Sequence, residues 1–168
     1  MSENAYRIAV LTKYVPDTQF EQKLDDTLRV DRSESVMSEL DEYAVEAAMQ
    51  IVEAEDTDAE NSAVIAFTLG AADASKGLRR ALQLGAHEGV HILDDAFAGA
   101  DALATSRIIA AALSTYEQEH GTFDLILTGM ASTEGETSLV PVQVSELLGR
   151  TGISQVASLS IAGRAVRA

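Results

Sequence analysis

Short apolar runs of strand length, separated by segments with helical periodicity, constrain this chain more than any other feature. Arg7 to Tyr14 (RIAVLTKY), Ala63 to Leu69 (AVIAFTL), Gly89 to Leu93 and Asp124 to Thr128 (DLILT) read as strands. Between them, Ala44, Ala47, Ala48, Ile51 and Val52 fall on one face of a helix expected from about Glu42 to Glu55, with Asp41 as its cap and Glu42 as a helix-dipole partner. Asp73 is read as the cap of a second helix, whose Leu78, Ala81 and Leu82 share a face and which Gly85 ends. Asp101 caps a third, through about Gln118, with Thr105, Ile108, Ile109, Ala112 and Leu113 as its inner stripe and Gly121 closing it. Val140, Val144, Leu147 and Leu148 repeat in a fourth, where Pro141 falls in the first turn and its missing N–H does no harm. This alternation predicts an α/β fold, a doubly wound, mostly parallel sheet in a Rossmann-like three-layer sandwich.

Two stretches are less regular. Val15-Pro16-Asp17 predicts a turn after the first strand, and residues 18–38 are polar and broken, with Leu28 to Val30 a short strand candidate. Gln155 to Ile161 is read as a last strand before Gly163-Arg164-Ala165-Val166-Arg167. The 168 residues suit one sizeable core and so a single domain, 1–168.

Charge and composition exclude several functions. Lysine and arginine number 12 against 27 aspartate and glutamate, a formal charge of −15, so nucleic acid is not an expected partner. Cysteine is absent, which removes disulfides, thiolate metal sites and thiol nucleophiles and fits a reducing cytoplasm. Met1 to Arg7 is polar, with no leader pattern, and no apolar run approaches membrane-spanning length, so a cytoplasmic chain without direct membrane insertion is expected. His87, His91 and His120 lack metal-ligand spacing, and Lys76, Arg79 and Arg80 read as a solvated helix face. No Ser-His-Asp arrangement or nucleophile elbow is present.

In a doubly wound sheet, ligands bind at the carboxyl ends of the strands near the switch in strand order. The loops at Val15 to Thr18, Gly70 to Asp73 and Gly129 to Ser138 are therefore the places for chemistry. The last reads Gly129-Met130-Ala131-Ser132-Thr133-Glu134-Gly135-Glu136-Thr137-Ser138. Its two glycines permit close backbone approach, and the helix start with hydroxyls at Thr137 and Ser138 suits a phosphate. An ordinary strand-to-helix loop with a hydroxyl cap is the alternative, and Glu134 and Glu136 oppose an anion unless their side chains turn outward. Neither a Walker loop nor the dinucleotide fingerprint is present.

As a set, these residues resemble the electron transfer flavoprotein β subunits. Lys13-Tyr14-Val15-Pro16-Asp17-Thr18 is similar to that family's Val-Lys-x-Val-Pro-Asp-Thr opening, and Asp41 to Glu46 to its Asp-Glu-x-Ala-x-Glu segment. Arg80 to Ala86 resembles Arg-x-Ala-Leu-x-x-Gly-Ala, and Ala98 to Ser106 also matches. The resemblance implies a carrier rather than an enzyme: an AMP-binding subunit paired with an α subunit that holds most of the FAD. Donors of acyl-CoA dehydrogenase type and a membrane-bound quinone oxidoreductase as acceptor are implied with it. The cofactor-binding positions it carries over are Leu11, Ser38, Glu39, Leu40, Asp41, Leu69, Gly70, Gly129, Met130, Ala131, Ser132, Thr133, Glu134, Gly135, Glu136, Thr137, Ser138, Leu139 and Val140, with Thr18 and Leu40 nearest the flavin. A second FAD in place of AMP is the alternative within the family.

Departures from the family pattern are Ser38-Glu39 for Asn-Pro, Ala131 and Leu139 for glutamines, and Glu134 and Glu136 for aspartates. Family members continue past residue 168 into an arm that embraces the α subunit, so the chain is expected to be a truncated β subunit. A free-standing nucleotide module of the universal-stress type is the rival, and its Gly-x-x-Gly phosphate loop is not found.

Overall fold

The computed structural model describes residues 4–163 and 165–168. Met1 to Glu3, in the polar N-terminal run, and Arg164, in the closing segment, lie outside the described residues. Four parallel strands make the central sheet: β1 (Arg7–Thr12), β4 (Ala63–Leu69), β5 (Glu88–Ile92) and β6 (Leu125–Thr128), in the order β5-β4-β1-β6. Register follows the alternation of side chains. Leu11 sits beside Phe67 on β4 and Thr128 on β6, and every residue of β1 after Arg7 is buried because helices cover both faces.

Odd and even positions of β1 feed different cores. Ile8 and Val10 pack with Val64 and Ala66 beneath α1 (Glu39–Val52) and α2 (Ser75–Gln83), through Val45, Ala48, Val52, Leu78 and Ala81. Ala9 and Leu11 pack with Ile65 and Phe67 beneath α3 (Ala102–His120) and α4 (Val140–Leu147), through Ile109, Leu113 and Val144. Phe67 also takes the edges of the Tyr116 and Phe123 rings at 5.4 and 5.7 Å. The result is the three-layer α/β sandwich that the alternation predicts.

Asp101 caps α3 as expected, its carboxylate accepting from the Ala104 N–H at 2.8 Å. Gly85 and Gly121 follow their helices at φ +111° and +92°. The inner face of α3 is turned from the expected stripe. Ser106, Ile109, Ala110 and Leu113 are its buried residues, and Ile108 and Ala112 instead line a shallow apolar cavity of about 420 Å³ with Ile92 and Phe97.

Elsewhere tertiary pairing overrides local reading. Tyr14–Pro16 is not a turn but a short strand, β2, antiparallel to β3 (Ser35–Met37). Pro16 is tolerated because it ends a two-stranded ribbon. Leu28 to Val30 is not a strand. Asp25 Oδ1 accepts from the Thr27 and Arg29 N–H groups at 2.8 and 3.0 Å, folding a turn that puts Leu28 at φ +59° and leaves only an isolated Leu24–Val30 bridge. Asp41 and Glu42 do not precede the first helix, because Ser38 is its N-cap and both lie in its first turn. Asp73 does not cap α2. It sits in a 3-10 turn, Ala72–Ala74, and pairs with Lys76 at 3.1 Å. Of Gln155 to Ile161 only the end is strand. β7 (Ser160–Ala162) pairs with β8 (Ala165–Arg167) as a hairpin outside the main sheet, while Gln155 sits at φ +58°.

Candidate functional site

The chain moves outward from β1 to β4 to β5, then returns through α3 to place β6 on the other side of β1. The switch in strand order therefore lies between the carboxyl ends of β1 and β6, which Lys13 and Gly129 follow. The start of α1 is pinned to the same place. Ser38 N–H donates to the Lys13 carbonyl at 2.9 Å, and the Ser38 carbonyl accepts from the Asp41 and Glu42 N–H groups at 3.0 and 3.1 Å.

Asp41 closes the crevice from below. Its Oδ2 accepts from the Lys13 backbone N–H at 2.8 Å, and the Gly129 N–H donates to the same carboxyl. The residue is 7% exposed. Burial pushes its pKa up to about 7, against the two backbone hydrogen bonds and the nearby Lys13 charge. Glycine is required at 129 because a Cβ there would lie 2.2 Å from Asp41 Oδ1 and 3.1 Å from the Leu40 carbonyl carbon.

The loop after β6 folds back over the end of β1. Ser132 Oγ accepts from Lys13 Nζ and from the Gly135 N–H, each at 3.2 Å, and the Ser132 carbonyl accepts from the Glu136 N–H at 3.0 Å. Glu136 and Ser138 adopt left-handed backbone, φ +46° and +52°. Glu134 does not turn outward. Its Oε1 sits 2.6 Å from both Lys13 Nζ and Arg32 Nη2, with the side chain 10% exposed. Burial alone would raise its pKa, but hydrogen bonds from the two cations prevail and bring it down to about 2. Arg32 also donates to the Tyr14 carbonyl at 3.2 Å, so the β2–β3 ribbon, the loop and the end of β1 form one cluster.

Among the described residues, the buried side-chain oxygens Ser38 Oγ, Thr133 Oγ1 and Glu134 Oε2 in this region have no hydrogen-bond partner. Thr137 and Ser138 do not cap α4, which begins at Val140 behind Leu139 without a side-chain cap. Both hydroxyl residues are exposed. Pro141 does fall in the first turn.

The other expected positions sit around this cluster unevenly. Leu11, Leu69 and Val140 share the apolar cluster under α3 and α4. Gly70 faces away towards β5, its N–H donating to Ile92 at 3.3 Å and its carbonyl 3.0 Å from His91 Nε2. Leu40 is half-buried and Ala131 likewise, whereas Glu39, Met130, Leu139 and Thr18 are exposed. Lys13 and Arg32, which the spacing of the loop did not single out, prove to be the cations of the site. Lys13 reads as part of the first strand, Arg7 to Tyr14, and stands out only in the family-like segment Lys13 to Thr18. Arg32 does not stand out, because it comes from the irregular stretch.

The family model for the electron transfer flavoprotein domain matches residues 27–168. The electron transfer flavoprotein subunit beta of Mycobacterium leprae is 38% identical over 159 residues, covering 93% of this chain and 58% of that protein. The caffeyl-CoA reductase-Etf complex subunit CarD of Acetobacterium woodii is 34% identical over 158 residues, 92% of this chain and 57% of that protein. Protein FixA of Azorhizobium caulinodans is 29% identical over 165 residues, 95% of this chain and 57% of that protein. The chain thus spans under 60% of the length of these relatives. With the family matched over most of its length and a parallel sheet of the expected layering, the chain belongs to the electron transfer flavoprotein family and aligns with its β subunits.

Proposed function

We propose that residues 1–168 form a single nucleotide-binding domain of an electron transfer flavoprotein β subunit that binds AMP and pairs with an FAD-carrying α subunit in the cytoplasm. In this reading electrons pass from acyl-CoA dehydrogenase-type donors towards a membrane-bound quinone oxidoreductase, and the chain itself is no enzyme. Among the described residues no helix is long and apolar enough to cross a membrane. When bound, FAD supplies the one-electron chemistry.

The observation that carries the nucleotide reading is the pair of buried, unpartnered hydroxyls, Ser38 Oγ and Thr133 Oγ1, on the two segments that meet at the switch point. Buried hydroxyls without partners are uncommon, and a polar ligand is one way to satisfy them. The donor set fits a phosphate-bearing adenine nucleotide in two further ways. Lys13 and Arg32 neutralise Glu134, the acid that would otherwise repel an anion. The N–H groups that open α4 have no side-chain cap. Leu11, Leu69 and Val140 would wall the site, Ser38 to Asp41 would form its floor and residues 129–139 its rim. Leu40 and Thr18 would stand nearest the flavin.

Mass spectrometry of the small molecule released on denaturation tests this. AMP is expected from the chain alone, and FAD only after co-expression with an α subunit; release of neither would remove the reading. A Cβ at Gly135 would lie 2.8 Å from Ser132 Oγ. Gly135→Val is therefore expected to displace the loop and abolish AMP binding in calorimetry with little change in thermal midpoint, and unchanged affinity would remove this loop from the site.

A further inference from the structure

The Lys13, Arg32 and Glu134 cluster brings two cations to a single carboxylate oxygen, 2.6 Å from each, while the other oxygen of Glu134 is buried without a partner. One carboxylate thus satisfies the cations but leaves part of itself unsatisfied, a costly arrangement for a nearly buried charge. The cations are not sealed in. Their side chains are 42% and 47% exposed, so an anion from solvent can reach them. Two hydroxyls lie in the segment that carries Glu134: Ser132 Oγ, already bonded to Lys13, and the unpartnered Thr133 Oγ1. Residues 135–139 of the same loop are exposed, so the carboxylate can withdraw without breaking into the core.

We propose that Glu134 is an internal stand-in for a phosphate: Lys13 and Arg32 form an anion site at the carboxyl end of β1, Glu134 fills it in the absence of nucleotide, and the phosphate of a nucleoside monophosphate displaces the carboxylate. The inference rests on the nucleotide reading above. A phosphate dianion carries three terminal oxygens, enough to meet both cations and a hydroxyl at once, where the carboxylate meets only the cations. The displaced carboxylate regains water at the exposed rim. Glu134 then acts as a competitor built into the chain, setting a threshold for phosphate-bearing ligands while leaving the unphosphorylated nucleoside unaffected.

Calorimetric titration of the 168-residue chain with AMP and with adenosine, in the unaltered protein and in Glu134→Gln and Arg32→Gln, tests the assignment, with thermal melts confirming the fold. Glu134→Gln is expected to tighten AMP by about tenfold and to leave adenosine unchanged, because the competitor loses its charge. Arg32→Gln is expected to weaken AMP by about tenfold, again without effect on adenosine. AMP binding that is unchanged or weaker in a folded Glu134→Gln protein overturns the stand-in role and leaves the nucleotide reading intact. No AMP binding by any of the three proteins removes both. Hydrogen exchange of the unaltered chain gives a readout that needs no variant. AMP, and not adenosine, is expected to change the protection of residues 132–136, and unchanged protection with AMP bound overturns the proposal.

Discussion

Asp41 concentrates the tension of this site in one side chain. It is buried, it faces the backbone N–H groups of Lys13 and Gly129, and it holds the ends of β1 and β6 together. Asp41→Ala would leave both donors without their acceptor, and the expected loss is about 2–4 kcal/mol in urea unfolding. Asp41 and Glu134 also give the protein opposite pH dependences. The pKa of Asp41 is raised from the usual 3.8 to about 7, so its contribution is fully present below the unfolded value and is lost as pH rises through 7. That of Glu134 is lowered from 4.5 to about 2, so its contribution is present above 4.5 and is lost as pH falls through 2. Between pH 4 and 7 the urea midpoint is therefore expected to fall more steeply in the unaltered chain than in Asp41→Asn. Parallel slopes in the two proteins would show that Asp41 ionises with its ordinary acidity. Asp41 is also where a single-residue reading fell short. An aspartate before an apolar periodic segment has the form of a cap, and only the position of Ser38 one turn earlier moves it inside the helix.

At the scale of elements, the packing of α3 and α4 on β1 and β4 depends on a few side chains. Leu113 is fully buried against the sheet in the cluster with Phe67 and Phe123. Leu113→Ala is expected to cost about 3 kcal/mol, read as a shift in the denaturation midpoint with an unchanged slope. A charged group ties the same elements at their far end. Arg150 pairs with Glu117 on α3 and donates to the Phe123 carbonyl at 2.9 Å, while Glu117 Oε1 accepts from the Phe123 N–H at 2.7 Å. Most of these elements were legible, because strands of four to seven residues and helices with an apolar stripe leave their periods in the sequence. The β2–β3 ribbon was not. Its strands are three residues long, too short to show alternation, and each exists only because the other is there.

For the whole molecule the formal charge of −15 matters more than any single ion pair. Self-repulsion destabilises a compact acidic chain, and salt screens it. Between about 0.01 and 0.15 M salt the Debye length falls from about 30 to about 8 Å. The thermal midpoint is expected to rise over that range, and a fall would mean that the Lys13, Arg32 and Glu134 cluster and its like outweigh the surface field. The sequence by itself determined the layered α/β fold, the succession along the chain of the four main-sheet strands and the four helices, and the loop that follows β6, because those follow from local periodicity and from turn residues whose preferences are set within a few positions. Tertiary structure alone decided that Arg32, from an irregular stretch, meets Glu134 from a loop 102 residues away, that Asp41 bridges two strands, and that Glu134 turns inward. The reason is that long-range pairing and burial are set by strand order, and strand order is not written in the period of any one segment.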